Sequence, residues 1–404
     1  MRILIVANKM PYPAKDGGAI ATLSLVTSLQ KCGCEVDILA MNTPKHFCKI
    51  EDIPVDLTSK IGFHSVYVDT TIKASKALKN LLFSSLPYNA ERFITDDFAR
   101  KLTEMLSAKE YDIVQLEGLY LCPYIADIRK CSKAKVVLRA HNVEHEIWLR
   151  MAANEGNLLK RVYKKILARR IRKFELSFVN AYDLLVPITS RDADYFAKNG
   201  NQKPVLVAPT GISHESALFD IDSSSACFPG FFHLGALDWI PNSEGLEWFI
   251  TNVWHTYKKN HSDAHFYVAG RNAEKSFEDF LKSNGIDYLG EVESAAEFYA
   301  KGSVFIVPLL SGSGMRIKIV EGMAAGKTVI TTSIGAEGID VEDGENILIA
   351  DDAATFLAKM EKVAADRSIH ERISANARSF VRDKYDNMNI ASRLKEFYLG
   401  ELER

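Results

Sequence analysis

No G-x-G-x-x-G fingerprint follows the first strand of this sequence, which argues against a dinucleotide-binding site. The six cysteines, Cys32, Cys34, Cys48, Cys122, Cys131 and Cys227, form neither a Cys-x-x-Cys pair nor a Cys/His set with zinc spacing. A zinc module or redox dithiol is therefore not expected, and the six read as reduced thiols of a cytosolic protein. No His/Asp/Glu cluster suggests a divalent-metal site. No apolar run approaches the ~20 residues of a membrane span. Met1 leads directly into the strand Arg2–Ala7, so no signal peptide is expected. Solenoid repeats and low-complexity tracts are missing too. With a formal net charge of −2, nothing global points to nucleic acid, and any basic function must be local.

What is present is an ordinary globular composition, 47% hydrophobic and 25% charged, over 404 residues. That length exceeds one comfortable core and fits two domains. Short apolar runs alternate with amphipathic helical stretches. The first series is Ile3–Ala7, Val36–Ala40, Ser65–Val68, Ile113–Leu116, Val136–Ala140, Leu184–Ile188 and Val205–Ala208. A second runs through Phe231–Leu234, His265–Ala269, Asp287–Leu289, Val304–Pro308, Thr328–Thr332 and Asn346–Ala350. Continuous apolar strands alternating with helices predict parallel sheets, hence two α/β domains of Rossmann-like type. The boundary is expected between Asn199 and Phe231, giving domains 1–200 and 201–385. A last helical segment follows once the second domain looks complete.

Two glycine-rich loops stand out. Gly17 and Gly18 sit at the mouth of the first helix, where bare backbone and a helix N-terminus favour an anion; from the local pattern alone, a loop needing unusual backbone angles is the better explanation. In the second half, Val304–Pro308 runs into Leu309-Leu-Ser-Gly-Ser-Gly314 and a helix that begins with Arg316 and Lys318. Cations there oppose the helix dipole, a cost more readily accepted if an anion binds. Glu321, in an otherwise apolar stretch with no evident basic partner, needs a hydrogen-bonding group such as a ribose diol. The alternative is a solvent-facing Arg/Lys pair and a surface acid. The carboxyl end of a strand, where open α/β sheets bind ligands, favours the functional reading.

The segment Leu158–Phe174 carries Lys160, Arg161, Lys164, Lys165, Arg169, Arg170, Arg172 and Lys173 and no acid, with apolar residues at helical spacing. It reads either as a surface for an anionic membrane or acidic acceptor or as a docked helix with a solvated basic face.

Several segments, in order, resemble glycosyltransferase family 4. Arg316–Gly326, Thr331–Gly338 and Asp343–Leu348 look like its donor-binding half. Gly17-Gly18, Leu86-Pro-Tyr88, Arg92-Phe93, Tyr111–Val114, Ala140–His145, Gly235–Asn242 and Leu289–Val292 extend the similarity over nearly the whole chain. The resemblance implies a GT-B fold: two Rossmann-like domains facing across a cleft, with a C-terminal helix (386–404) crossing back onto the first. It implies a retaining, metal-independent transferase that moves a sugar from a nucleotide-diphosphate sugar to a glycan or lipid-linked acceptor. Cell-surface polysaccharide assembly is the setting, at the cytoplasmic face of the membrane, with no cofactor. By the same resemblance, Glu321 holds the donor ribose. Arg316 and Lys318, helped by Gly17 and Gly18, hold the diphosphate. Glu291 and Val292 line the base, and Ser311, Gly312, Ser313, Gly314 and Met315 lie against the sugar. His141 sits near the acceptor; without the resemblance it reads rather as a satisfied histidine at a strand end.

Two positions depart from the family pattern. Ser313 stands where the first of two glutamates is usual. Gly235–Asn242 carries Asp238 and Asn242 where an arginine and a lysine are usual, so Arg316 and Lys318 are expected to take over the diphosphate charge. A sugar-nucleotide epimerase of the same fold, or a non-catalytic nucleotide-sugar-binding member, remain alternatives. An epimerase needs a pair of acids of its own, and no such pair is apparent in the sequence.

Overall fold

A computed structural model describes residues 1–14, 16–221, 227–312 and 314–404. The chain divides into two compact units, Met1–Thr210 with Asn387–Arg404, and Gly211–Asp386.

The first unit is built on six parallel strands: β1 (Arg2–Ala7), β2 (Glu35–Asn42), β3 (Gly62–Tyr67), β4 (Ile113–Glu117), β5 (Lys135–Ala140) and β6 (Leu184–Pro187). Their spatial order is β3-β2-β1-β4-β5-β6. Both faces are covered, so β1 and β4 are buried almost throughout, as apolar runs in parallel sheets are. The period of two divides β4 between the faces: Val114 and Leu116 enter one apolar cluster, while Gln115 and Glu117 point to the other side. The helix Gly17–Lys31 starts where Asp16 accepts a hydrogen bond from the Ala19 amide at 3.0 Å, an N-cap. The C-terminal helix Asn387–Leu402 packs against it and buries Ile390, Ala391, Leu394 and Tyr398 in the second cluster.

The second unit repeats the plan with β7 (Phe231–Leu234), β8 (Phe266–Ala269), β9 (Asp287–Tyr288), β10 (Val304–Val307), β11 (Thr328–Thr331) and β12 (Leu348–Ile349). The order β12-β11-β10-β7-β8-β9 is the same topology. Each sheet therefore reverses winding direction once, between β1 and β4 and between β7 and β10. Crevices at the carboxyl ends of such switch-point strands are where this architecture binds ligands.

Two boundaries differ from the sequence reading. The first unit extends ten residues past position 200, because residues 204–208 hydrogen-bond along β6 through Pro204, Leu206 and Ala208. The expected strand Val205–Ala208 is thus an isolated bridge beside Leu185 rather than a full strand. β3 begins at Gly62, three residues before the apolar run, where a Cβ would meet the Asp37 carboxylate. No described helix is long and apolar enough to cross a membrane.

Leu394 is fully buried. Leu394→Ala is therefore expected to destabilise the first unit by about 2–5 kcal/mol, the range for truncating a core leucine, read from the midpoint of chemical denaturation.

Candidate functional site

In the second unit the residues around the switch point come from two strand-to-helix loops. After β7 the chain runs through Gly235 into the helix Ile240–Phe249, which carries Asn242. After β10 it runs through Gly312 (φ +111°) and Gly314 (φ +78°) into the helix Ile317–Ala324. Both glycines hold left-handed backbone that a side chain would strain. Arg316 is the N-cap residue of that helix and is 7% exposed. Its guanidinium lies over the Trp239 ring at 5.2 Å. A Cβ on Gly312 would collide with that guanidinium, so glycine here makes room for the cation.

One turn on, Lys318 Nζ donates to Asn242 Oδ1 at 2.6 Å. Burial and the Arg316 charge push the Lys318 ammonium down to about 7, with Glu321 pulling the other way. Glu321 follows Lys318 by three residues, so the basic partner missing from the sequence reading is its helix neighbour. Burial raises the Glu321 carboxyl and Lys318 opposes this. The fully buried Tyr299 lies beside Glu321 and donates to the Lys318 carbonyl at 3.3 Å.

His233, at the end of β7, was not picked out from the sequence. It is fully buried, with Nδ1 2.7 Å from the Ile306 carbonyl. That carbonyl can only accept, so the ring proton sits on Nδ1. Burial and Lys318 hold the ring well below its usual range, against the carbonyl contact, and it is neutral. Its Nε2 has no hydrogen-bond partner among the described residues. A Cβ at Gly235 would lie within 2.8–3.1 Å of Asn242 Nδ2, His233 Nε2 and Lys318 Nζ. Bare backbone thus sits against three converging nitrogens. The signal available in the sequence was a histidine inside an otherwise apolar strand.

The first unit carries a cavity of about 250 Å³ at its own switch point, lined by Lys9, Gly18, Thr22, Glu117, His141 and Glu144 among others. Glu117 organises it. It accepts from Thr22 Oγ1 at 3.0 Å, Arg139 Nη1 at 3.3 Å and Gln115, and contacts His141 Nε2 at 2.7 Å. Burial disfavours its charge, but Arg139 and His141 outweigh that and hold Glu117 at about 2. Gln115 in turn takes the hydroxyl of Tyr398, so the C-terminal helix reaches this network. Glu144 is the second acid in the cavity. Its carboxylate accepts from Tyr120 at 2.8 Å, and its amide donates to Glu175 at 2.9 Å. Burial lifts the Glu144 carboxyl to about 7, the Tyr120 hydroxyl opposing and the Glu175 charge adding. The acid pair not apparent in the sequence therefore exists, Glu117 from β4 and Glu144 from the helix Glu144–Ala153. Distant positions carried it, one of them a polar residue inside a buried strand.

The other expected residues fall as follows. Gly17 and Gly18 open the first helix with ordinary backbone, and neither takes a positive φ. A Cβ on Gly18 would meet only the tip of the Lys9 side chain, Nζ at 2.8 Å, and one on Gly17 would meet nothing within 4 Å, so unusual backbone angles do not explain the pair. The Asp16 carboxylate already caps that N-terminus. Glu291 is exposed, Val292 packs against the second unit's core together with Met315, and Ser311 is half-buried. Ser313 lies outside the described residues. In the helix Leu158–Ser177, Lys160, Lys165 and Arg169 are exposed. Arg161 bonds the Glu155 carbonyl, Lys164 pairs with Glu155 at 2.7 Å, and Arg170 donates to the Asn80 and Leu81 carbonyls. These three are tied into the fold rather than presented as a free basic face. Among the described residues no group of His, Cys, Asp and Glu is arranged to hold a metal ion.

A family model described as Glycosyltransferase Family 4 matches residues 15–216, and one described as Glycosyl transferases group 1 matches residues 229–366. The chain belongs to glycosyltransferase family 4. A relative from Klebsiella pneumoniae, named as an uncharacterized 44.6 kDa protein in the cps region, is 25% identical over 97% of this chain and 98% of its own. Sucrose-phosphate synthase from Thermosynechococcus elongatus superimposes with a TM-score of 0.66 at 14% identity, covering 99% of this chain and 98% of that one. The pneumococcal O-GlcNAc transferase GtfA, solved with UDP and GlcNAc, does so with a TM-score of 0.65 at 12% identity, over 100% and 99%. The fold of this family 4 glycosyltransferase is GT-B, two Rossmann-like α/β units.

Within the family 4 chain, Glu144 makes a pH prediction. Its folded value of about 7 lies above the ordinary 4.5. The folded state then holds the extra proton, and stability falls as pH rises from about 4.5 to about 7. Glu144→Gln removes this slope. Its melting temperature should match the wild type near pH 4.5 and exceed it at pH 8, by up to roughly 3 kcal/mol in stability.

Proposed function

We propose that this chain is a retaining glycosyltransferase that moves a hexosyl group from a nucleotide-diphosphate sugar to a glycan or lipid-linked acceptor in cell-surface polysaccharide assembly. The observation that carries this reading is the trio Arg316, Lys318 and Glu321 on the first two turns of one helix at the switch point of the second unit. Two cations and a helix N-terminus suit a diphosphate, and an acid with a raised affinity for its proton suits a ribose diol. GtfA was solved with UDP, which supports a uridine nucleotide. The location of the Klebsiella relative in a cps region supports a polysaccharide setting.

As the sugar–phosphate bond breaks, negative charge grows on the departing diphosphate, and fixed cations act more strongly on the transition state than on the bound donor. Lys318, held near 7 by burial and the Arg316 charge, becomes fully charged beside a diphosphate. Arg316 and Lys318 take the role a metal has elsewhere, and no metal is required. The departing phosphate accepts the proton of the incoming hydroxyl on the same face of the sugar, which preserves configuration without a protein nucleophile. Gly235 and Asn242 shape the phosphate side, Ser311, Gly312, Gly314 and Met315 the sugar side, and Glu291 and Val292 the base. His141, its Nε2 fixed on Glu117, offers Nδ1 to a hydroxyl and orients the acceptor. The epimerase reading is weaker, because Glu117 is locked as a carboxylate by its hydrogen bonds and leaves only Glu144 able to trade protons near neutrality.

Peripheral attachment to an anionic membrane belongs to this reading. Leu158 and Leu159 are 69% and 81% exposed beside Lys160, Lys165 and Arg169, at the outer end of their helix. Apolar and basic side chains sharing one surface suit a lipid interface.

Arg316→Ala should lower transfer turnover roughly 10²–10³-fold, with a smaller loss for Lys318→Ala and a lesser fall in donor affinity for both. EDTA should leave wild-type activity intact. Near-normal turnover of the double variant, with any of a panel of sugar nucleotides, overturns the mechanism. For the membrane, Lys160, Lys165 and Arg169 changed together to Glu should weaken binding to anionic liposomes by about 1 kcal/mol per basic residue. Failure of the wild type to bind such liposomes at low salt removes the attachment.

A further inference from the structure

Beside the Glu117 cavity lies a second one, of about 400 Å³, that shares Asn8 and Lys9 with it. It belongs wholly to the first unit. Its basic lining is Lys9, Lys45, His46 and Arg92, with no acid among the lining residues, and Ile72 and Phe93 add apolar wall.

The basic groups differ in how they are held. Lys9 and His46 share the Asp16 carboxylate, at 2.5 and 2.7 Å. Burial disfavours charge on Asp16, but Lys9 and His46 outweigh it and hold the carboxyl well below its usual range. One carboxylate thus offsets one cation. Arg92 has no such partner. It donates to the Thr70 carbonyl and stacks on the rings of Tyr88 and Phe93 at 5.5 and 5.6 Å. Its Nε is buried with no hydrogen-bond partner among the described residues. Lys45 is exposed at the rim. The cavity therefore carries an excess of positive charge over a partly apolar wall, and it holds a preorganised, stacked guanidinium suited to a planar or tetrahedral oxyanion. Phe93 stacks on Tyr120 at 5.7 Å, and Tyr120 holds Glu144, so the second cavity is mechanically joined to the first.

We infer that this cavity binds the phosphate ester of an anionic acceptor, with Arg92 and Lys45 as its anion contacts and the neighbouring Glu117–His141 cavity receiving the sugar end. The inference rests on the transferase reading, which assigns the acceptor to the first unit. The apolar wall continues outward. Ile72 is exposed, and so are Leu78, Leu82 and Phe83 on the adjoining helix Ala74–Phe83. An anion carrying an apolar chain satisfies both features, and a soluble sugar phosphate satisfies only the first.

The test is binding of three probes to the full chain held at saturating UDP, which occupies the donor site: geranylgeranyl diphosphate, glucose 1-phosphate and neutral octyl glucoside. Geranylgeranyl diphosphate is expected to bind at least tenfold tighter than octyl glucoside. Lys45→Gln, at an exposed position that leaves folding intact, should weaken it about three- to tenfold. Arg92→Gln should weaken it further, and Arg92→Lys should restore part of the loss. Glucose 1-phosphate binding as tightly as the prenyl diphosphate assigns the site to soluble phosphates and keeps the anion contacts. Equal binding of octyl glucoside, or geranylgeranyl diphosphate affinity unchanged in both Gln variants, overturns the inference. UDP affinity, measured on the same proteins, separates the two readings. If UDP binds and the Gln variants change nothing, the anion cavity fails alone; if UDP and a panel of UDP- and GDP-sugars do not bind the wild type, the transferase reading fails.

Discussion

Parallel strand order is the constraint from which the rest follows. Every strand in a parallel sheet ends at the same edge, so the loops that leave it are delivered to one side. Where winding reverses, the loops after the two central strands diverge and leave a crevice that no crossover helix covers. In the first unit those strands are β1 and β4. Asn8 and Lys9 follow one, and Glu117 ends the other. In the second unit they are β7 and β10, and the loops carry Gly235 and Gly312–Arg316. The same geometry is used twice, with opposite chemistry at the centre.

The first unit centres on an anion and the second on cations. Glu117 is a buried carboxylate made tolerable by Arg139, Thr22, Gln115 and His141. A buried charge survives only with its lone pairs satisfied, and this one is. The satisfaction fixes His141 in place at the cavity wall. In the second unit the cations crowd. Arg316, Lys318 and the neutral His233 lie close enough that Lys318 is depressed and His233 cannot protonate. Positive charge concentrated at a helix N-terminus is unfavourable, and an anion placed there would relieve it. Strain of this kind is a normal companion of a binding site.

The supports lie outside the loops themselves. Tyr398 on the C-terminal helix holds Gln115, and Gln115 holds Glu117, so a helix at the end of the chain buttresses residues read near position 117. Trp239 supports Arg316 from a loop 77 positions earlier. Asn242, standing where a lysine is usual in the family, holds Lys318 instead of supplying charge.

The sequence by itself determined the class of fold, because buried parallel strands must be continuous apolar runs, and such runs separated by helices admit few alternatives. It also determined the glycine loop with Arg316, Lys318 and Glu321, because those residues are neighbours along one helix, where spacing translates directly into geometry. Only the tertiary structure decided which groups share a cavity. Glu117 and Glu144, 27 positions apart in the sequence, share a cavity because β4 and β5 pair side by side and deliver both to the same sheet edge. Lys9, the adjacent Lys45 and His46, and Arg92 converge from three separate loops and turns. It decided also that Arg170, Lys164 and Arg161 serve the fold, since a basic residue's partners are carbonyls and acids that spacing alone does not reveal. Contacts made across the sheet depend on strand order and on burial. Both are properties of the folded whole, and local pattern cannot supply them.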